Sequence, residues 1–323
     1  MMKKKNWILA AFLMCASMVA SAQKQAEEPK GKAIVQVFGN FHTGFGRTND
    51  DRGFELDRSY VGYQYDLGKG LQIKGVMDIG QSDDVNDYHR IAYIKNAQIS
   101  WKTGNLTLNG GLISTTQFNM QEKFWGYRYI MKSFQDLYKM GSSADLGLSA
   151  AYKFTDWLSA DAIVVNGEGY KKIQKNDGLM YGLGATLTPV EGLSMRVYYG
   201  LNEGSDDTQA DIQNLATFIG YKGKVFSLGA EYNRIWNAKN KEGNDFDGFS
   251  IYTSAHLNKK LDAYLRYDRC LDGEGQTGIM AGLQFKVGKY VKIAPNYRYH
   301  HTSVIGPDNT ATHMGYISCY FGL

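Results

Sequence analysis

The stretch Gly70-Leu71-Gln72-Ile73-Lys74-Gly75-Val76-Met77-Asp78-Ile79-Gly80 decides the fold. Read in steps of two, Leu71, Ile73, Met77 and Ile79 fall on one face and Gln72, Lys74 and Asp78 on the other. A period of two over eight to ten residues marks a strand whose two faces meet different surroundings. The pattern recurs. Leu193, Met195, Val197 and Tyr199 oppose Ser194, Arg196 and Tyr198, and Leu261, Ala263, Leu265 and Tyr267 oppose Asp262, Tyr264 and Arg266. Val291, Ile293, Tyr297 and Tyr299 oppose Lys292, Asn296 and Arg298.

The connections between such stretches alternate in length. Short ones include Asp66–Gly70, Lys102–Asn105, Thr155-Asp156, Pro189–Gly192, Lys222–Lys224, Asn258–Lys260 and Gly288-Lys289. Long polar ones span Gly46–Gly53, Gln81–Arg90, Thr115–Ser143, Gly167–Gly178, Asn202–Ala210, Asn237–Asp245, Leu271–Gln276 and Thr302–Thr310. This rhythm predicts an antiparallel meander with tight turns on one rim and long loops on the other. The expected strands are 33–45, 54–65, 71–79, 91–101, 106–114, 144–154, 157–166 and 179–188, then 193–201, 211–221, 225–236, 246–257, 261–270, 277–287, 290–301 and 311–322. Sixteen is even, which puts both termini on one rim. Closure follows because an open edge in hydrocarbon leaves backbone groups unpaired, at several kcal/mol each. The fold class is therefore all-β, a transmembrane antiparallel β-barrel of about 16 strands.

The ends agree with export. Lys3, Lys4 and Lys5 precede an apolar run from Trp7 to Ala20, and Ala20-Ser21-Ala22 offers small residues for cleavage before Gln23. That is the pattern of a secretory signal over 1–22, and a spanning helix needs about 20 apolar residues. Residues 23–323 then form a single barrel domain. Removing the three leader lysines leaves 33 basic against 32 acidic residues, so no excess of charge points to nucleic acid. With 23 Tyr, 15 Phe, 37 Gly, 4 Pro and a mean hydropathy of −0.38, the chain suits strands and tight turns more than a helical membrane protein. Tyr63, Tyr65, Trp101, Tyr152, Phe154 and Trp157 cluster near the expected turns, where interfacial girdles belong. Outside the barrel, outer-membrane lipid and lipopolysaccharide are the expected neighbours. The closing strand alternates Ile317, Cys319 and Phe321, a pattern read by the barrel-assembly machinery. Cys270 and Cys319 fall at opposite ends of different strands and are expected to be unpaired.

Thr115–Ser143, the third long loop, holds Phe124, Trp125, Tyr127, Tyr129, Ile130, Phe134 and Leu137, far too apolar for a solvated loop. It reads as helix-like from Gln121 to Met140 and is expected to fold into the lumen. Arg128 and Lys132, four apart on one helical face, would then project into the aperture or pair with lumen carboxylates such as Asp145. The pleat also turns Arg58, Lys74, Asp78, Asp145, Arg196, Glu231, Arg266, Asp268, Lys292 and Arg298 inward. Mixed charges on an inner wall suit a water-filled passage with a transverse field. Asp83, Asp84, Asn86 and Asp87 form an acidic loop without the glycine turn and distal Glu of an EF-hand. The six histidines lack metal spacing, and His301-Thr302-Ser303 is the one neighbouring Ser–His pair, so neither metal, cofactor nor enzyme is expected.

Gly53–Asp78 (GFELDRSYVGYQYDLGKGLQIKGVMD), Arg128–Tyr138 (RYIMKSFQDLY), Ser143–Phe154 (SADLGLSAAYKF) and Leu261–Gly275 (LDAYLRYDRCLDGEG) together resemble the Bacteroidetes outer-membrane porins, related to the phosphate-selective porin O and P family. The resemblance spans nearly the whole chain after the signal. It implies a 16-stranded barrel, a homotrimer, and a third loop folded inward as the constriction. It also implies that Arg128 and Asp145 match the loop arginine and the aspartate at the Asp-x-Gly step. The function expected is passive diffusion of small hydrophilic solutes and ions across the outer membrane of a Gram-negative bacterium. The alternative is a structural or loop-displaying barrel with a plugged lumen.

Overall fold

The computed structural model describes residues 30–323 apart from 47–50, 82–88, 175–176, 206–207, 274 and 304–309. The strands are β1 (Lys30–Phe45), β2 (Arg52–Gly68), β3 (Leu71–Gln81), β4 (Arg90–Thr103), β5 (Leu106–Ser114), β6 (Ala144–Lys153), β7 (Leu158–Val165) and β8 (Met180–Leu187). They continue as β9 (Leu193–Asn202), β10 (Ile212–Lys222), β11 (Phe226–Trp236), β12 (Phe246–Asn258), β13 (Leu261–Leu271), β14 (Gln276–Val287), β15 (Val291–Thr302) and β16 (Thr310–Gly322). Each pairs antiparallel with its sequence neighbours, and β1 closes on β16 with Val37 opposite Phe321 and Phe45 opposite His313. The result is a closed 16-stranded antiparallel barrel.

The two faces part as the alternation demands. In β3, Ile73 and Met77 are exposed and Val76 and Asp78 buried; in β9, Met195, Val197 and Tyr199 are exposed and Arg196 and Tyr198 buried. Tyr63, Tyr152, Phe154 and Trp157 are exposed at the turn end of the outer wall. Among the described residues no helix is long and apolar enough to cross a membrane, which says nothing of strands.

Two bulges rotate side chains that simple alternation would misplace. Arg58 pairs with Phe38 and Leu56 with Gly39, so Asp57 is an extra residue in β2. Asn96 pairs with Val76 and Ile94 with Met77, so Lys95 is an extra residue in β4. An inserted residue twists the strand and re-aims its neighbours. Lys95 and Asn96 consequently face inward together.

The third long loop departs from the expected continuous helix. It forms α1 (Asn119–Trp125) and a single turn, α2 (Phe134–Leu137). Gly126 ends α1 at φ 74°, a left-handed cap suited to glycine, and its N–H reaches Glu122 O at 3.0 Å. A turn follows, with the Ile130 N–H donating to Tyr127 O at 2.8 Å and the Trp125 indole to Met131 O at 3.0 Å. Arg128 and Lys132 thus share no helical face. Cys270, at the loop end of β13, is buried and free; Cys319, toward the turn end of β16, is also free.

Candidate functional site

The third long loop is bonded to inward-facing side chains along one side of the barrel. Three arginines each donate to a loop carbonyl. Arg196 on β9 reaches Thr116 O at 2.8 Å, Arg266 on β13 reaches Lys132 O at 2.6 Å, and Arg298 on β15 reaches Ile130 O at 2.8 Å. The Tyr129 hydroxyl donates to Gln284 on β14 at 2.9 Å and Tyr252 on β12 to Gln121 O at 3.4 Å. Loop aromatics pack on the same strands: Trp125 lies 5.4 Å from Tyr252, Tyr127 4.6 Å from Tyr264, and Phe124 5.0 Å from Phe218. Trp125, Tyr127, Tyr129, Ile130 and Phe134 are all buried, and each such side chain contributes about 1.5–3 kcal/mol.

Two of the arginines on that side are neutralised where they stand. Arg266 makes a bidentate pair with Asp268, 2.8 and 2.7 Å, and both are almost fully enclosed beside Glu231. Arg196 pairs with Asp161 at 2.6 and 2.9 Å and donates to Thr186. Arg298 lies 3.6 Å from the Tyr316 ring centre. Lys292 stands over the rings of Tyr320 and Tyr129.

The wall of β2 to β6 is different. Gln98, Ser100, Asn109 and Ser149 form a chain of small polar groups, with Gln98 to Ser100 at 2.8 Å, Ser100 to Asn109 at 2.7 Å and Asn109 to Ser149 at 3.0 Å, and Asn96 donates separately to Ser114 at 3.3 Å. Before it stand Arg58, Lys74, Lys95, Lys123, Arg128, Lys132 and Lys171. Arg58 pairs with Asp78 at 3.2 Å; Arg128 pairs with Asp136 at 2.9 Å and Glu122 at 3.3 Å; Lys132 lies 3.9 Å from Asp136. Among the described residues Lys74, Lys95, Lys123 and Lys171 have no carboxylate within 4.0 Å. Lys95 instead donates to the Tyr60 hydroxyl at 3.2 Å. Lys74 lies within electrostatic reach of Lys95 and Lys123, and Lys132 of Arg58, Arg128 and Lys171. Burial holds the Lys132 ammonium below the ordinary lysine pKa, with Asp136 pulling the other way.

Arg128 and Lys132 therefore do pair, but with Glu122 and Asp136 of their own loop and not with Asp145. The broken helix folds Asp136 back between them, which the sequence spacing alone does not show. Asp145 accepts the N–H groups of Leu146, Gly167 and Gly169 at 2.7, 2.8 and 3.1 Å. Arg58 sits beside the unpaired lysines, whereas Arg196, Arg266, Asp268 and Arg298 sit on the bonded side. Lys95, Asp57 and Tyr170 were not among the expected inward residues. The bulges do leave a trace. Outward residues in β4 run Ala92, Ile94 and then Ala97, Ile99, Trp101, a slip of phase at Lys95.

Two cavities flank the loop. The larger, about 980 Å³ on the long-loop side, is bordered by Arg58, Lys132, Lys171 and Asp145. The smaller, about 430 Å³ on the turn side, is bordered by Lys123, Arg196 and Asp161. Among the described residues no group of three or more His, Cys, Asp or Glu is placed to hold a metal; Asp83, Asp84, Asn86 and Asp87 lie outside the described residues, as does the signal segment 1–22. Ser303 Oγ lies 3.3 Å from His301 Nδ1 on an exposed rim.

No family model matches the chain, and no curated protein matches it. Solved structures do. Pseudomonas putida OprB superposes with a TM-score of 0.70 at 12% identity, covering 91% of this chain and 94% of that one. The anion-selective porin from Comamonas acidovorans gives 0.67 at 14%, covering 92% and 100%, and outer-membrane-expressed OmpT of Vibrio cholerae gives 0.65 at 15%, covering 94% and 100%. At these identities the likeness is one of fold: the chain has the closed-barrel architecture of outer-membrane porins.

Proposed function

We propose that this chain is an outer-membrane porin of a Gram-negative bacterium, through which small hydrophilic solutes and ions diffuse passively. The third long loop lies inside the barrel as the constriction, and the passage runs between that loop and the wall of β2 to β6. One observation carries the reading: the inward arginines of β9, β13 and β15 are bonded to the third loop, while Lys74 on β3, Lys95 on β4, Lys123 on the third loop and Lys171 on the fourth carry no ion pair among the described residues. Unneutralised charge beside a narrow, low-dielectric wall focuses field on whatever passes. Lys171 on the upper cavity, Lys95 and Lys74 between, and Lys123 on the lower one give the passage an anion bias.

The fold supports outer-membrane residence, and the proposal adds 1–22 as the signal peptide and the barrel-assembly machinery as receiver of the closing strand. The barrel assembles as a homotrimer, with lipid and lipopolysaccharide covering the rest of its apolar outer wall. The relation to Bacteroidetes porins and to the phosphate-selective porin O and P family is proposed on the sequence stretches quoted above. Neither nucleic-acid binding nor enzymatic activity belongs to the proposal. One observation favours a plugged barrel instead: the loop aromatics belong to one continuous cluster with residues of β1, β2, β3, β10, β12, β13, β14, β15 and β16. Purified protein in a planar bilayer separates the two. Stepwise conductance increments are expected, and a folded protein that inserts without conducting would return the plugged reading.

A further inference from the structure

We propose that the entrance to the constriction has two jaws, and that the second is the fourth long loop, through Tyr170 and Lys171. The inference rests on the porin reading and adds a specificity-determining element to it.

The loop after β7 is held inward by backbone bonds. Gly167 and Gly169 lie at φ 104° and 82°, in the left-handed region that favours glycine, and both donate to the Asp145 carboxylate. The Tyr170 N–H bonds to Ala144 O at 2.9 Å. So anchored on β6, Tyr170 reaches three strands away, where its hydroxyl donates to Asp78 on β3 at 2.5 Å. Its ring lies edge-on to Tyr93 on β4 at 6.3 Å and 5.6 Å from the Lys95 ammonium. Lys171 extends over the Tyr93 ring at 5.2 Å. Asp78 is itself held by Arg58, whose guanidinium donates to Tyr60, the acceptor of Lys95.

This places the fourth loop against the same patch of wall that the unpaired lysines occupy. Across the upper cavity Lys171 faces Lys132 of the third loop, and both border that cavity with Arg58. Asp78 and Asp136 hold Arg58 and Lys132 there, whereas Lys171 has no carboxylate within 4.0 Å among the described residues, so its charge is the one left to act on an anion at this mouth. Asp145 is then a positioning residue. Its carboxylate orients the segment that carries Tyr170.

The test uses full-length protein with Cys270→Ala and Cys319→Ala. Asp78→Cys with Tyr170→Cys, treated with a short bis-maleimide in isolated outer membranes, should give a cross-linked species of altered gel mobility. Conductance in a bilayer should fall on cross-linking. Lys171→Glu, which leaves the tyrosine in place, should move the reversal potential toward cations while heat-modifiable migration shows the barrel intact. No cross-link, or a cross-link in a conducting barrel that leaves conductance unchanged, overturns the proposal, as does unmoved selectivity in Lys171→Glu. Absence of conductance in the parent protein overturns the porin reading and the aperture with it, while the cross-link yield reports separately whether the loop touches β3.

Discussion

The two halves of the inner wall use basic side chains to opposite ends. Along β9 to β15, Arg196, Arg266 and Arg298 meet loop carbonyls, and the first two also chelate aspartates in pairs enclosed by packing. Along β2 to β4, Lys95 donates to the Tyr60 hydroxyl and lies in the field of Lys74, and neither meets a carboxylate among the described residues. Arginine's planar fork suits bidentate, buried pairing; lysine's compact ammonium remains a hydrated point charge. One half fastens a loop, and the other is left to act on solutes.

The largest effect expected from disturbing this contrast is at Arg266. Arg266→Ala would strand Asp268 and Glu231 in an enclosed site and free the Lys132 carbonyl, and breaking such a pair costs about 3–5 kcal/mol. The temperature at which the folded band is lost on gels should drop, and channel noise should rise as the third loop loosens. Removing both charges together, as Arg266→Met with Asp268→Leu, should recover much of the stability. If the single variant matches wild type in both readouts, the bonded half is not what holds the loop.

A second, smaller effect concerns pH. Lys132 has its pKa lowered by burial, so it loses its charge at lower pH than an exposed lysine. Anion preference should therefore decline as the pH rises into the alkaline range, before exposed lysines titrate, and should return on acidification. Lys132→Arg, charged throughout, should flatten that decline; an identical pH profile in this variant would remove Lys132 from the passage.

The smallest effect is at the cysteines. Mass spectrometry of non-reduced peptides should show no Cys270–Cys319 link, because the two sit toward opposite rims. Finding one would overturn the register of β13 or β16.

Most of the barrel was legible because each strand states its own faces. Leu71 to Ile79 need no partner to reveal which side is apolar, and the turn and loop lengths give the strand count. The site was less legible for a matching reason. Pairing inside the barrel is long-range: Arg266 and Lys132 are 134 residues apart, and Tyr170 and Asp78 are 92 apart. Local spacing therefore put Arg128 and Lys132 on a helix that Gly126 interrupts, and it offered Asp145 as a partner when Asp136 lay nearer. Lys95 was hidden by a single bulge, although the slip of outward residues from Ile94 to Ala97 marks the place.

The measurement that bears most directly on the contrast is the reversal potential of single channels in a salt gradient. Wild type should favour anions, and Lys74→Glu with Lys95→Glu should shift it toward cations. Lys259→Glu, exposed in the turn between β12 and β13, should leave it close to wild type. Conductance should change less than selectivity, since the swaps roughly preserve side-chain bulk. Unchanged selectivity in the Lys74 and Lys95 variant, with the barrel folded and conducting, would contradict a passage along the β2 to β6 wall.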